Sequence, residues 1–431
     1  MLCLKILVPN NFAMANPYLH PTAIILKSFQ TNMASGYPLE SYRLIANHDG
    51  NAKIIPFQID EVAAYEDFVL PDGPKPNHTL SNGIFDRLDE LSFMAEDAGM
   101  DEPPKKWSFE KPELLYKIAA KKDGKSYGAV FLAVYKTPSK RPKYSNKKYV
   151  EFNLKESTIL TSRYRYQFDP NNYLVVKGID LVKDGKPELK IVDSSSFYLN
   201  LDLKYFLTLS IGHSDITSRL EAYKVGPIRS IVRVSFAYSF LKLNFEMGMY
   251  TEVSFFSNSV ILPAIMYNPL DGSKSFNSGT GFYYGFATTF DIGSIGLETN
   301  LNKYAKKNIL DLFKGTPKVL TNYSLLASHP DFIMLMNISP SWKMKNSGNL
   351  PLYYKEIGDP AKISSRKWDT PLPLGEAPVN LGVYFDLNKF AEGEHRVGFN
   401  LYFENKNNKE LIKSYSNLDK WYYTVSNETN Y

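Results

Sequence analysis

Hydrophobic and polar residues alternate with period two along most of this chain, the mark of strands that bury one face. Three pairs of such runs meet at an Asp-Gly dipeptide: Asp49-Gly50 between LESYRLIA and AKIIPFQI, Asp123-Gly124 between LLYKIAA and YGAVFLAVY, and Asp184-Gly185 between YLVVKGIDLV and PELKIVD. Asp-Gly tolerates positive φ at both corners of a two-residue loop, so each pair predicts a hairpin. Over 228–238, Val232, Val234, Phe236 and Tyr238 share one face against Arg233 and Ser235. The phase changes near Phe240-Leu241 and resumes through Leu243, Phe245, Met247 and Met249, which predicts a bulge or a turn between strands. Residues 250–267 and 381–404 continue the strand-rich pattern. One segment differs: in NLNKYAKKNILDLFKG (300–315), Leu301, Tyr304, Ala305, Ile309, Leu312 and Phe313 fall on one helical face, with Gly315 and Pro317 as a stop.

The alternation breaks in KTPSKRPKYSNKKY (136–149), which is rich in Pro, Lys and Ser. A boundary there leaves an N-terminal β domain over 16–140 and a larger one over 150–431. The expected fold is all-β: an N-terminal β-sandwich, then a large two-sheet β-sandwich of supersandwich type with few helices. A length of 431 residues suits more than one core.

Composition narrows the function classes. The net charge of +5 is small for this length, and basic residues gather only in the short stretch around 136–148, so no nucleic-acid partner is expected. Aromatic residues make up 14%, with 30 Tyr and 27 Phe. Large half-buried sheets account for that enrichment, and aromatic platforms that stack on sugar rings are the sharper reading of it. The single cysteine, Cys3, excludes a disulfide within the chain. The first residues, MLCLKILVPNNFAMAN, join a short apolar run to Ala13-Met14-Ala15, the small-x-small form of a signal-peptidase site. On that reading residues 1–15 are a signal-peptide remnant and the protein is periplasmic or extracellular. The alternative is a cytosolic chain whose first strand spans 2–8. No apolar run is long enough to predict a membrane-spanning helix.

The densest chemistry lies in NHTLSNGIFDRLDELSFMAEDAG (77–99). With Gly83 at the sixth position of a twelve-residue calcium loop, Asn82, Asp86 and Asp89 occupy the fifth, ninth and twelfth. The first and third fall on His78 and Leu80, poor ligands for a hard cation. The favoured reading is an Asn-Gly turn that launches a strand over 91–95, with Leu91 and Phe93 inward. No cofactor is expected, and a structural calcium at Asn82, Asp86 and Asp89 would bind weakly. Asp60 and Glu61 are adjacent on a strand, so their side chains point to opposite faces and cannot serve one site.

The segments IPFQIDE (55–61) and Asn82-Gly83 through DELSFMAEDAG (89–99) resemble a pattern in a group of exported bacterial proteins of unknown function. There a PFQ-x-DE strand precedes DG-x-x-D-x-x-DEL-x-FMA-x-DAG, and Gly226-Pro227-Ile228-Arg229 is similar to that group's GP-[IV]-R strand start. The resemblance implies an N-terminal β-sandwich followed by a larger one, like those of polysaccharide-processing proteins. This sequence departs from the pattern at His78 and Leu80, where acidic residues stand in the group.

No HExxH, GxSxG, P-loop or GxGxxG motif is present. The six histidines show no ligand spacing. A lyase would need a Tyr or His base and an Arg to neutralise a uronate carboxylate, and the candidates are His213, Arg219, Arg229, Tyr283 and Tyr284. The two tyrosines sit in GTGFYYGF (279–286), either on a loop beside a groove or on a strand that packs its rings between sheets. The expected function is non-catalytic binding of a glycan or cell-surface polymer. The alternatives are a polysaccharide lyase using these residues and a structural subunit of a surface layer or filament.

Overall fold

The computed structural model describes residues 23–429 apart from 32–34, 64–66, 123–124, 205–207, 213–215, 241–242, 269–270, 278–279, 290–295, 300–302, 305–318, 321–323, 341–351, 357–378, 388–389 and 406–420. The regular structure of the described chain is almost entirely antiparallel strand, arranged in four sheets. Its one α-helical segment among the described residues is the single turn Gly272–Ser275. None of the described helices is long and apolar enough to cross a membrane. Contacts divide the chain into two units. One comprises Met1–Glu151, Ala222–Ile231 and Asn408–Tyr431, the other Phe152–Glu221 and Val232–Asn407.

The first unit is a sandwich of two sheets. Its strands are β1 (Ala23–Lys27), β2 (Tyr42–His48), β3 (Asn51–Ile55), β4 (Gln58–Asp60), β5 (Glu90–Met94), β6 (Leu114–Lys122) and β7 (Lys125–Val134). β1, β5 and β4 form one sheet. β6, β7, β2 and β3 form the other, and Trp421–Asn427 adds an edge strand beside β6. The core between them is built from alternate residues: Ile24 and Leu26, Leu91 and Phe93, Leu44 and Ala46, Ile118 and Ala120, Val130 and Leu132. The outer face of the five-stranded sheet carries Ile45, Leu115, Phe131 and Ala133, covered in part by Trp107 and Phe109. Burial on both faces explains why β2 and β7 read as continuous apolar runs.

Two of the expected hairpin turns are seen directly. Asp49 and Gly50 have φ of 52° and 82°, and Asp184 and Gly185 have 49° and 75°. The third joins β6 to β7 with Lys122 opposite Lys125, while Asp123 and Gly124 themselves lie outside the described residues. The phase change near residue 240 falls between the strands Arg229–Phe240 and Leu243–Phe256.

The second unit packs a ten-stranded sheet against a nine-stranded one, counted among the described residues. Aromatic contacts join the two layers. Tyr166 of Tyr164–Asp169 meets Phe255 at 5.0 Å between ring centroids, Tyr164 meets Phe403 at 5.0 Å, and Tyr284 meets Phe399 at 5.7 Å. These edge and tilted packings place much of the aromatic excess inside the sandwich.

The helix expected over 300–315 is corrected where that segment is described. Lys303–Tyr304 is a short strand that pairs with Glu298 and Leu297, and the remainder lies outside the described residues. Pairing to a neighbouring strand overrides the local helical spacing.

Candidate functional site

The motif residues of the first unit converge on one buried ion network. Gln58 and Asp60 lie on the same face of β4, two residues apart, and Glu90 opens β5, the strand that pairs with it. Arg229, 2% exposed, enters from the segment 222–231. Its Nε and Nη2 donate to Asp60 Oδ2, each at 2.7 Å, and Nη2 also donates to Glu90 Oε2 at 2.9 Å. Lys224 Nζ reaches Asp60 Oδ1 at 2.8 Å and donates to the Ile59 carbonyl at 2.9 Å. Gln58 completes the network. Its Nε2 donates to Asp60 at 2.8 Å, and its Oε1 accepts from the amides of Ile228 and Arg229 at 3.2 and 3.1 Å. The guanidinium lies 4.7 Å from the centre of the Phe68 ring, an apolar cover on the pair.

Burial by itself would push the Asp60 carboxyl up. The Arg229 and Lys224 cations beside it outweigh that and hold it down at about 2. Arg229 and Asp60 engage each other, and both side chains are buried. This is an internal clamp, and Arg229 is therefore not a free cation for a substrate carboxylate.

Asp60 and Glu61 do point apart: β4 ends at Asp60, and Glu61 lies just beyond it. Glu61 turns to the opening of the Asn82 turn, where its carboxylate accepts from the amides of Asn82 and Gly83 at 2.9 and 2.8 Å and from Ser81 Oγ at 2.6 Å. Asn82 Nδ2 donates to Asp86 at 2.7 Å, and Asn82 Oδ1 accepts from the Ile84 amide at 2.8 Å. Buried Asp89 accepts from the amides of Val62 and Asp86, both at 2.8 Å. The oxygens of the candidate calcium loop are thus engaged by N–H and O–H donors, with Gly83 at φ 69° making the corner. Among the described residues, no group of three or more His, Cys, Asp or Glu is placed to hold a metal ion.

Asp89 has a consequence for acid titration. Burial pushes its carboxyl up, and the nearby Asp86 and Glu61 carboxylates add to that against the two amide bonds, for a net value of about 6. An acid whose folded value lies above its unfolded one holds its proton in the native state alone between about pH 4 and 6. The stability this contributes is full below pH 4 and is lost as pH rises through 6. The free energy of unfolding of the wild type minus that of Asp89→Asn is therefore expected to fall from pH 4 to pH 7 in denaturant titrations. A difference flat across that range would contradict the assignment.

The remaining candidates are dispersed. Tyr284 lies on the strand Gly281–Thr288, in the middle of the ten-stranded sheet rather than on a loop. It is buried, its hydroxyl has no hydrogen-bond partner among the described residues, and burial raises its pKa further above the ordinary tyrosine value. It packs edge-on against Phe286 at 5.2 Å and lines, with Tyr166, Met336 and Phe399, a closed cavity of about 10 Å3, room for one water at most. Tyr283 is on the same strand, and Arg219 is exposed on Ile216–Val225. His213 lies outside the described residues. Arg229 and Tyr284 are in different units and serve separate interiors.

Sequence reasoning passed over a surface feature in 136–149, the segment taken as a boundary. This strap is fastened from inside. Arg43, 5% exposed, donates from Nε to the Pro142 carbonyl at 2.6 Å and from Nη1 to the carbonyls of Glu40 and Tyr42 at 2.9 and 2.6 Å. Arg141 Nε donates to the Tyr135 carbonyl at 3.2 Å, Nη2 to Ser41 Oγ at 3.1 Å, and Nη1 pairs with Glu40 at 2.7 Å. The Arg43 guanidinium lies 3.7 Å from the centre of the Tyr144 ring, yet Tyr144 remains 49% exposed. Its signal was an aromatic interleaved with cations in an otherwise polar run.

No family model matches this chain, and no curated protein matches it. Solved structures do. An α-mannosidase from Enterococcus faecalis is 8% identical, with a TM-score of 0.45 over 94% of this chain and 44% of that one. A glycosyl hydrolase family 38 protein from the same organism is 10% identical, with a TM-score of 0.48 over 94% of this chain and 46% of that one. The Slr1438 protein of Synechocystis is 10% identical, with a TM-score of 0.35 over 62% of this chain and 98% of that one. The chain spans less than half the length of either Enterococcus protein. Its own strands define the class: an all-β protein of antiparallel sheets, with a smaller sandwich and a large two-sheet sandwich.

Proposed function

We propose that this is an exported protein that binds a glycan or cell-surface polymer without cleaving it. The observation that supports this reading is where the fold spends its polar and aromatic groups. Arg229 is taken up by two carboxylates inside one unit and Tyr284 by aromatic packing inside the other, whereas Tyr144 remains about half exposed on a fastened strap. An aromatic ring held rigid loses little conformational entropy on meeting a sugar face, and so suits recognition.

The reading is tested with the purified chain and a panel of neutral and acidic soluble polysaccharides. Retardation in affinity electrophoresis, with no new reducing ends and no unsaturated products after prolonged incubation, is the expected result. Release of either product would instead make the chain an enzyme. Absence of retardation by every polymer would remove the binding reading.

A further inference from the structure

We infer that the strap over 136–148 is a binding surface for an acidic polysaccharide, one whose sugars carry carboxylates. The inference deepens the binding reading above and rests on it. Two features meet here. The first is Tyr144, whose ring lies against the Arg43 guanidinium and 5.9 Å from the Phe57 ring, and which still keeps nearly half of its surface open. The second is charge. Lys136, Lys140, Lys143, Lys147 and Lys148 are all exposed within thirteen residues. Nearby carboxylates claim only part of this: Glu40 pairs with Arg141, and Glu96 and Asp97 pair with Lys147 at 3.3 and 3.1 Å. Lys136 lies over the Tyr37 ring at 5.3 Å, which leaves Lys140, Lys143 and Lys148 as the cations available to a ligand.

The combination selects the ligand class. An aromatic face offers contact to the C–H surface of a pyranose ring, and lysines spaced along a strap that begins with the 3-10 turn Pro138–Lys140 match charges repeated along a polymer. A neutral glycan would leave the lysines unused. The strap's backbone is fastened by Arg43 at Pro142 and by Tyr149, whose amide donates to the Pro227 carbonyl at 2.8 Å and whose hydroxyl donates to Asp97 at 2.6 Å. The cations are therefore carried on a fixed backbone, and the ordering left to be done on binding is that of the lysine side chains. Exposed charges are screened at physiological ionic strength, so the interaction is expected to weaken as salt rises.

The test uses the full chain and three probes in affinity electrophoresis: polygalacturonate, dextran as a neutral polymer, and poly(dT) as a nucleic-acid polyanion. Polygalacturonate is expected to retard the wild type, and dextran and poly(dT) to do so far more weakly. Tyr144→Ala should weaken the polygalacturonate interaction by about tenfold, and the triple variant K140E/K143E/K148E should abolish it. Lys140, Lys143 and Lys148 are exposed, so the triple variant should keep the wild-type melting temperature. Tyr144→Ala strips the ring from Arg43 and Phe57 and is expected to lower it, so both melting temperatures are measured and binding is compared well below them. Retardation by dextran that neither variant alters would overturn the strap while leaving a glycan-binding protein. Equal retardation by poly(dT) would overturn the carbohydrate assignment, and wild-type binding by the triple variant would overturn the surface.

Discussion

Arg229→Met is expected to cost the first unit about 3–5 kcal/mol of unfolding free energy at neutral pH, the range for removing one member of a buried ion pair. The size follows from what is left behind. Asp60, 1% exposed, would lose two of its charge-assisted hydrogen bonds, and Glu90 would lose its guanidinium partner. Lys224 and Gln58 would still reach Asp60, so the loss is large without being total. The pH dependence identifies the cause. In the wild type Asp60 is held at about 2, below its unfolded value near 4, so its contribution is complete above pH 4 and lost as pH falls towards 2. In the variant Asp60 can take a proton and shed its unpaired charge, so the gap between the two proteins should narrow below pH 4. Adding Asp60→Asn and Glu90→Gln to Arg229→Met should recover part of the loss at pH 7, because the buried charges leave with their partner. Urea titrations of the single and triple variants check this. A single-variant loss under 1 kcal/mol with an unchanged pH profile would contradict the clamp.

That clamp was legible in the sequence as a pattern but not as a structure. Alternation along a regular strand sends Asp60 and Glu61 apart, and they do part, although Glu61 lies just past the end of β4. Alternation had no means of finding Arg229, 169 residues downstream of Asp60, since the meeting is made by tertiary pairing. Arg229 stands in the Gly-Pro-Ile-Arg strand start with no partner visible in the sequence, and so reads as a catalytic candidate. The same limit hid the C-terminal strand. Trp421–Asn427 pairs with most of β6, from Trp421 opposite Lys122 to Asn427 opposite Tyr116, and no local pattern in either segment names the other as its partner. The half calcium loop shows the converse. An Asn-Gly corner followed by aspartates is what a cation needs and also what a tight turn needs, where side-chain oxygens cap backbone amides. The missing ligands at His78 and Leu80 pointed to the second use, and the contacts of Asn82, Asp86 and Asp89 show each of them capping.

Gly99→Ala should be destabilising by about 3 kcal/mol or more, at or beyond the usual range for overpacking. Gly99 closes the DAG end of the motif and is paired on one side with Ala129, through amide-to-carbonyl bonds of 3.0 and 3.1 Å. On its other side runs the backbone of Asn47 in β2. A Cβ on Gly99 would overlap the Asn47 carbonyl oxygen and lie 2.8 Å from its amide nitrogen and carbonyl carbon. Rotamer changes cannot relieve a clash with backbone, so one of the two segments must move. Neither is free to do so. The Met100 amide donates to the Asn47 carbonyl at 2.8 Å, and the Asn47 side chain holds the Glu102 carbonyl at 2.7 Å and the Gly50 amide at 2.8 Å. Displacing Asn47 therefore strains the β2–β3 hairpin, whose register runs from Leu44–Ile55 to His48–Asn51. Gly83→Ala is the control, since a Cβ there meets nothing within 4 Å and the cost reduces to holding alanine at φ 69°, roughly 1–2 kcal/mol. Denaturation midpoints should rank the wild type above Gly83→Ala and Gly83→Ala above Gly99→Ala, and amides of the β2–β3 hairpin should lose hydrogen-exchange protection in Gly99→Ala alone. If the two variants are equally stable, the close approach of Gly99 to Asn47 is not what requires glycine at this position.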